Sequence, residues 1–244
     1  MKNDLTDITF LILIRLDSIH RLENILIVTK QLCRYFNTNI VVRESDSYNN
    51  GILESLLNTK INYEFIEDKD PILYKTKHFN QLVLAVDTPF IAIWDADIIP
   101  DKKAIIGCME QLRNNEADIA YPYNGICYDI PKSIRSLYLR KKDFQLLFRH
   151  LDKMDRLYPY TLAGGAVMMD QEKFIQAGGE NEVHYGWGND DFDRYERFKL
   201  LEYKLYRINT CLFHLCHPRT RNSTHYSEIS RKISEKEIFK IKSS

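Results

Sequence analysis

Phe90-Ile91-Ala92-Ile93-Trp94-Asp95-Ala96-Asp97-Ile98-Ile99-Pro100 is an apolar run that ends in two carboxylates. A continuous run from Phe90 to Trp94 predicts a strand buried on both faces, as in the middle of a parallel sheet. In extended chain, residues two apart point the same way, so Asp95 and Asp97 are expected to address one point in space. Two neighbouring carboxylates repel unless a positive charge joins them. A hard divalent cation carrying phosphate oxygens fits that requirement. Ala96 between them leaves room for a ligand.

The chain before this stretch alternates strand and helix. Ile8 to Ile14 is expected as the first strand, and its apolar run is too short for a membrane span and lacks the basic flank of a signal peptide. Asp17 or Ser18 can cap a helix over Arg21 to Tyr35, where Leu22, Ile25, Leu26, Thr29, Leu32 and Cys33 keep helical spacing. Ile40 to Val42 reads as a strand, Ile52 to Leu57 as a short helix after the Asn49-Asn50-Gly51 turn, and Ile61 to Ile66 as a strand. Leu73 to Val86 reads as a helix broken by Thr88-Pro89. The alternation predicts an α/β fold, a doubly wound, mostly parallel sheet with helices on both faces. Ligands then bind beyond the carboxyl ends of the strands. Those ends carry Arg15 and Asp17, Glu44 and Asp46, and Asp95 and Asp97, which points to a nucleotide site. Neither G-x-G-x-x-G nor G-x-x-x-x-G-K-[ST] occurs, so a dinucleotide cofactor and P-loop chemistry are not expected. Without a glycine cradle, a diphosphate needs a metal.

Composition sets limits. The 244 residues carry 34 basic and 34 acidic side chains, a balance that argues against a general nucleic-acid binder. The five cysteines are odd in number and contain no C-x-x-C, which points to a reduced, cytoplasmic setting rather than a disulfide or zinc framework. No stretch reaches the length of a transmembrane segment.

The second half is less regular. Lys102 to Asn114 predicts a helix and Ile119 to Tyr123 a strand; Ser133 to Leu151 is basic and aromatic, without clear helix boundaries. Leu162 to Met169 reads as a strand entered through Gly164-Gly165, a pair that lets backbone approach a ligand or forms a bulge. Tyr185-Gly186-Trp187-Gly188-Asn189-Asp190-Asp191-Phe192-Asp193 offers a Trp face for a sugar ring, an Asn able to cap a helix, and carboxylates able to act as a base. Tyr203 to Ile208 reads as a strand. In Cys211-Leu212-Phe213-His214-Leu215-Cys216-His217-Pro218-Arg219 the two histidines, three apart, face opposite ways if the chain is extended, so at most one of them need bind a metal placed at Asp95 and Asp97. Imidazole with carboxylates favours a first-row transition metal over Mg²⁺. The tail beyond Arg219 is expected as a weakly amphipathic, solvated helix, with membrane-surface contact as its second reading.

Taken in order, WDAD (94–97), GGAVMMD (164–170), GWGNDDFD (186–193) and HLCHPR (214–219) resemble the GT-A glycosyltransferases. The pattern is most similar to bacterial family 2 enzymes whose C-terminal half is like that of β-1,4-galactosyltransferases and chondroitin polymerases. The resemblance runs from Ile8 to Arg219. It implies one GT-A domain over 1–219, divided into a nucleotide half (1–100) and a sugar and acceptor half (101–219), with a basic tail over 220–244. It implies Mn²⁺, with Mg²⁺ as the alternative, on Asp95 and Asp97, and metal ligation by His217. His214 falls where relatives carry a Met ligand, which leaves open which histidine binds. Arg15, Asp17, Glu44, Asp46 and Asp95 fall on the nucleotide side; Gly164, Gly165, Trp187 and Gly188 fall on the sugar side. Asp190 stands where Glu is usual, so the base is Asp191 or Asp190. The implied activity is inverting transfer of galactose or an N-acetylhexosamine from a UDP-sugar to a glycan acceptor in surface polysaccharide synthesis, in the cytoplasm, with peripheral contact at the inner membrane as the alternative. The competing readings are a non-catalytic nucleotide-sugar or glycan-binding module on this fold, and a metal-dependent hydrolase or nucleotidyltransferase.

Overall fold

The computed structural model describes residues 2–225 and 227–243. Among them run strands β1 (Asn3–Ile14), β2 (Phe36–Asp46), β3 (Asn62–Glu67), β4 (Phe90–Trp94), β5 (Ile119–Tyr121), β6 (Cys127–Ile130), β7 (Asp155–Arg156), β8 (Ala166–Asp170), β9 (Leu205–Arg207) and β10 (Leu212–Leu215). The helices are α1 (Ile19–Tyr35), α2 (Ile52–Leu56), α3 (Lys75–Leu84), α4 (Lys102–Arg113), α5 (Lys132–Lys141), α6 (Phe144–Arg149), α7 (Gln171–Gln176), α8 (Asp190–Leu200) and α9 (Glu228–Ser243).

Seven strands form one sheet in the order β3-β2-β1-β4-β8-β5-β9, and β10-β6-β7 form a second. The mostly parallel sheet expected from the alternation is present: β1 pairs in parallel with β2 and β4, and β2 with β3. Its centre is apolar because β1 and β4 are covered on both faces; Phe10, Leu11, Ile12, Ile91, Ala92 and Trp94 are all buried. Phe10 and Trp94 meet edge to face, ring centroids 5.5 Å apart.

Helix α1 begins where Ser18 Oγ accepts the Arg21 amide, which selects Ser18 over Asp17 as the cap. It buries Ile25, Val28 and Leu32 on one face, and each such side chain contributes on the order of 2 kcal/mol of transfer free energy. Asn24 on that face donates 2.9 Å to Leu215 O, tying α1 to the second sheet. The unassigned basic and aromatic region folds as α5 and α6.

One strand departs from parallel order. β8 is antiparallel to β4 and β5, with Trp94 opposite Ala166. The reversal brings the start of β8 to the carboxyl end of β4. Asp95 N then donates to Gly165 O at 2.9 Å, so Gly164-Gly165 borders the carboxylate pair. Gly165 has φ +87°, a conformation that glycine adopts without strain.

Candidate active site

An open cleft lies beyond the carboxyl ends of β1 and β4, lined among others by Lys75, Asp95, Asp97, Gly164, Trp187, Asp191, His214 and His217. The carboxylate pair at its floor is not in extended chain. β4 stops at Trp94, and Ile98 N donates back to Asp95 O at 3.2 Å, closing a turn. Trp94 Nε1 donates to Ile98 O at 3.0 Å, and β10 clamps the turn through Ile99 N to Phe213 O and Leu215 N to Asp97 O. The extended-chain expectation fails because these bonds reward the turn. The two carboxylates consequently meet different partners.

Asp97 meets the histidines. Its Oδ2 lies 3.2 Å from His217 Nε2 and 3.7 Å from His214 Nε2. The expectation that the histidines face opposite ways also fails: β10 ends at Leu215, so its alternation does not reach His217, and the two rings lie 5.2 Å apart. Ligand atoms of Asp97, His214 and His217 all lie within 4.8 Å of one another. Each imidazole is held from behind: His214 Nδ1 bonds Asp129 Oδ1 at 2.7 Å, and His217 Nδ1 donates to Pro218 O at 2.9 Å. Strand register supplies the first contact, since His214 pairs with Asp129 across β10 and β6. A carboxylate or carbonyl behind the ring leaves Nε2 free to bind a metal. One carboxylate oxygen and two imidazole nitrogens suit a first-row divalent ion, so the residues present fit the expected metal. Burial alone would raise Asp97; the neighbouring His214 and His217 override it and hold its carboxyl below the usual range.

Asp95 faces another way. Its Oδ1 is 3.9 Å from Lys75 Nζ, and the same ammonium is 3.4 Å from Asp190 Oδ2. Burial, with Asp97, Asp191 and Asp190 adding to it against Lys75, pushes Asp95 up to about 6. Burial works against the Lys75 charge, but Asp190, Asp95 and Asp191 outweigh it and raise the ammonium above its ordinary value. Lys75 was not singled out in the sequence: it sits at the first position of α3, where nothing marks it from other lysines.

Asp190 and Asp191 open α8. Asn189 does not cap this helix through its side chain; it adopts φ +67° instead, continuing the left-handed backbone of Gly186 and Gly188. Asp190 is buried against Lys75, whereas the Asp191 side chain is 25% exposed to the cleft. Asp191 Oδ1 accepts from Arg194 Nη2 at 2.5 Å. Its Oδ2 lies against Gly164, where an added methyl would collide with it. The glycine pair therefore gives the carboxylate room. Trp187 forms one wall with Tyr158 (centroids 6.3 Å), which stacks on Tyr160 (5.4 Å), and Tyr160 meets Phe192 at 5.8 Å.

The remaining expected residues stand elsewhere. Arg15 is buried and spends its guanidinium on Ser45 O, Asp70 O and Asp68 Oδ2. Asp17 pairs with Arg21 at 3.0 Å and accepts from Thr220 Oγ1 at 2.7 Å. Glu44 is buried; Tyr63 donates to its Oε2 while Oε1 has no hydrogen-bond partner among the described residues. Asp46 bonds its neighbour Ser47 at the surface. Of the five residues expected on the nucleotide side, Asp95 lines the cleft.

The tail is helical, and it is docked rather than free. Ser234 is buried and donates to Gly188 O at 3.2 Å, and Ser234 Oγ lies 2.6 Å from His184 Nδ1. His225 packs edge-on to Trp187 at 5.4 Å. Ile229, Ile233 and Phe239 are exposed on its outer side. No helix among the described residues is long and apolar enough to cross a membrane.

This architecture is the GT-A fold. Residues 146–225, which hold the Gly-Trp-Gly segment and both cleft histidines, match the family described as the N-terminal domain of galactosyltransferase. Solved structures similar to the chain include the catalytic domain of Drosophila β1,4-galactosyltransferase 7 in complex with xylobiose, at 15% identity and a TM-score of 0.55, covering 96% of this chain and 79% of that one. A mannosyltransferase from Pyrobaculum calidifontis, in complex with GDP-Man and Mn²⁺, gives 15% and 0.57 over 96% and 63% of the respective chains. Glucosyl-3-phosphoglycerate synthase from Mycobacterium tuberculosis, with Mn²⁺, UDP and phosphoglyceric acid, gives 11% and 0.57 over 96% and 78%. No curated protein sequence matches. The matched segment and the shared fold support a glycosyltransferase enzyme.

Proposed function

We propose that this protein is a metal-dependent, inverting glycosyltransferase that moves galactose or an N-acetylhexosamine from a UDP-sugar to a glycan acceptor in surface polysaccharide synthesis. One observation carries the reading: a metal-ligating group, a cleft-facing carboxylate and an aromatic wall share a single cleft. The Mn²⁺ and nucleotides in two of the neighbours, and the xylobiose in the third, agree with it.

Asp97, His214 and His217 would hold the ion, with Asp95 beside them toward the donor. A bound Mn²⁺ supplies Lewis-acid stabilisation of the charge that gathers on the departing UDP. Trp187 and Tyr158 offer apolar faces to sugar rings. Asp191 is the base: Asp190 is locked to Lys75, whereas Asp191 opens to the cleft with Oδ2 in no ion pair among the described residues. Asp191 takes the acceptor hydroxyl proton as that oxygen bonds the anomeric carbon, and the bond from this carbon to the diphosphate oxygen breaks on the opposite face. Arg21 and Arg219 line the same cleft and offer positive charge to the diphosphate.

Calorimetric titration with UDP, with and without Mn²⁺, tests the donor site, followed by transfer assays from UDP-galactose and UDP-N-acetylhexosamines to a panel of sugar acceptors. Metal-dependent binding lost in Asp97→Ala, with transfer lost in Asp191→Asn, is the expected result. Absence of UDP binding under every metal condition would refute the nucleotide reading. UDP-sugar binding with no transfer to any acceptor would mark a binding module, and release of free sugar alone would mark a hydrolase.

A further inference from the structure

A buried ion pair behind Asp191 is not used by the reaction as described above. Arg194, one turn along α8, is 1% exposed, and Glu180 is 3% exposed. Arg194 Nη1 bonds Glu180 Oε1, and Nη2 bonds Asp191 Oδ1. Burial raises Glu180, against the pull of Arg194, to about 7. Glu180 is itself pinned by α3: Asn80 Oδ1 accepts the Glu180 amide at 2.7 Å, and Asn80 Nδ2 donates to the Glu180 carbonyl at 2.9 Å. Gly179 has φ +68°, and a side chain there would strike Asn80 Oδ1, so this approach requires glycine.

The consequence is directional. Asp191 has one oxygen tied to Arg194 and the other against the bare α-carbon of Gly164. Its rotamer is fixed from two sides. A buried, charged pair is an expensive way to brace a helix, since an apolar pair of similar volume would do so as well. A guanidinium does what an apolar side chain does not: it bonds one carboxylate oxygen in a set plane and leaves the second free.

We propose that Arg194, braced by Glu180 and Asn80, is a positioning residue that orients Asp191 so that Oδ2 faces the acceptor hydroxyl. This rests on the reading of Asp191 as the base. Other charged groups around Asp191 are Asp190 beside it, Lys75 from α3 and Asp95 from the turn after β4, with the Tyr121 and Tyr123 hydroxyls nearby. It is Arg194 that bonds the Asp191 carboxylate, through Oδ1.

The test compares Arg194→Ala, Arg194→Lys and the paired Arg194→Met/Glu180→Gln, which removes both buried charges and so keeps the fold if Arg194→Ala does not. UDP affinity in Mn²⁺, which does not involve Asp191, is expected within twofold of wild type. Turnover with UDP-galactose and the acceptor that serves wild type best is expected to fall about a hundredfold in kcat, with KM for the donor unchanged, as for a misplaced catalytic group. Arg194→Lys is expected to recover about tenfold, and guanidinium added to Arg194→Ala to restore activity in a saturable way. Crystal structures of the variants should show Asp191 turned away from Gly164. Wild-type kcat in the paired variant, or an Asp191 rotamer unchanged in its structure, would overturn the proposal. If wild type transfers to no acceptor while the rotamer still shifts, the reading of the reaction fails and the positioning stands.

Discussion

His217 Nε2 lies 3.2 Å from Asp97 Oδ2, on a ring whose far nitrogen is fixed by a backbone carbonyl. His214 completes the group, with Asp129 behind it. Burial opposes charge on His214, but Asp97 and Asp129 outweigh it and raise its titration above the ordinary 6.5. The sign follows. In the metal-free protein, the stabilisation from protonated His214 is present below pH 6.5 and is lost as pH rises through the raised value. Metal binding needs the neutral ring, so Mn²⁺ affinity rises over that same span, with proton release. Titrations at pH 6, 7 and 8 in buffers of different ionisation enthalpy check this; an affinity flat in pH would refute it. Asp129→Ala should weaken Mn²⁺ by about 10- to 100-fold, as loss of a carboxylate behind a ligating histidine does.

Gly164 and Asp191 form the second relationship open to direct test. A methyl at position 164 would occupy the space of Asp191 Oδ2. Tyr123 Oη also donates to Gly164 O at 2.6 Å, so the backbone there is held and the carboxylate must move. Gly164→Ala is expected to cut turnover about a hundredfold while UDP binding in Mn²⁺ stays within twofold. A parallel loss of UDP affinity would place the damage in the donor site instead.

The sheet was legible because burial on both faces writes itself as unbroken apolar runs such as Phe90 to Trp94, and because helix faces such as Ile25, Thr29 and Leu32 keep their spacing. Boundaries were less so: β2 runs from Phe36 to Asp46, far beyond Ile40 to Val42, because its pairing with β1 and β3 continues past the apolar residues. The direction of β8 had no local signal, since an antiparallel strand buried on both faces has the same composition as a parallel one. Within the site, Asp97, His217 and Asp191 were singled out by motif, alongside His214 and Asp190, and all five line one cleft. Their partners Lys75, Asp129 and Arg194 were not singled out: Lys75 and Asp129 are brought in by tertiary contacts, and Arg194, one turn from Asp191, carries no motif that sets it apart from other arginines. Arg15 and Glu44 show the converse, charged residues at a strand end that the fold uses for its own hydrogen bonds.

Lys75 sits between Asp95 and Asp190 and is the cation nearest both. Lys75→Met leaves Asp190 buried without its counter-charge, which costs about 3 kcal/mol by the usual penalty for breaking a buried pair. A lowered urea midpoint in the metal-free protein is the expected reading. Saturating Mn²⁺ should recover part of it, since a divalent ion near Asp95 relieves the repulsion and binds the folded state alone. A midpoint equal to wild type would show that the three side chains are not coupled.

Ser234 joins α9 to the Gly-Trp-Gly segment through Gly188 O and His184, and His184 Nε2 in turn bonds Asp193 Oδ2 at 2.8 Å inside α8. The hydroxyl thus links the tail to the helix that carries Asp191. Ser234→Ala removes two hydrogen bonds, one to a part-buried carbonyl and one to a buried ring nitrogen, a loss of about 1–3 kcal/mol. Ser234→Thr keeps the hydroxyl and is expected to retain most of the stability. The readout that separates docking from general stability is Trp187, which packs against His225 beside Gly188. Trp94 is fully buried and serves as the internal reference. Loosening of α9 in Ser234→Ala should expose Trp187 and shift the emission to longer wavelength below the unfolding transition. An unshifted emission with an unchanged urea midpoint would mean that the tail rests on the segment without holding it.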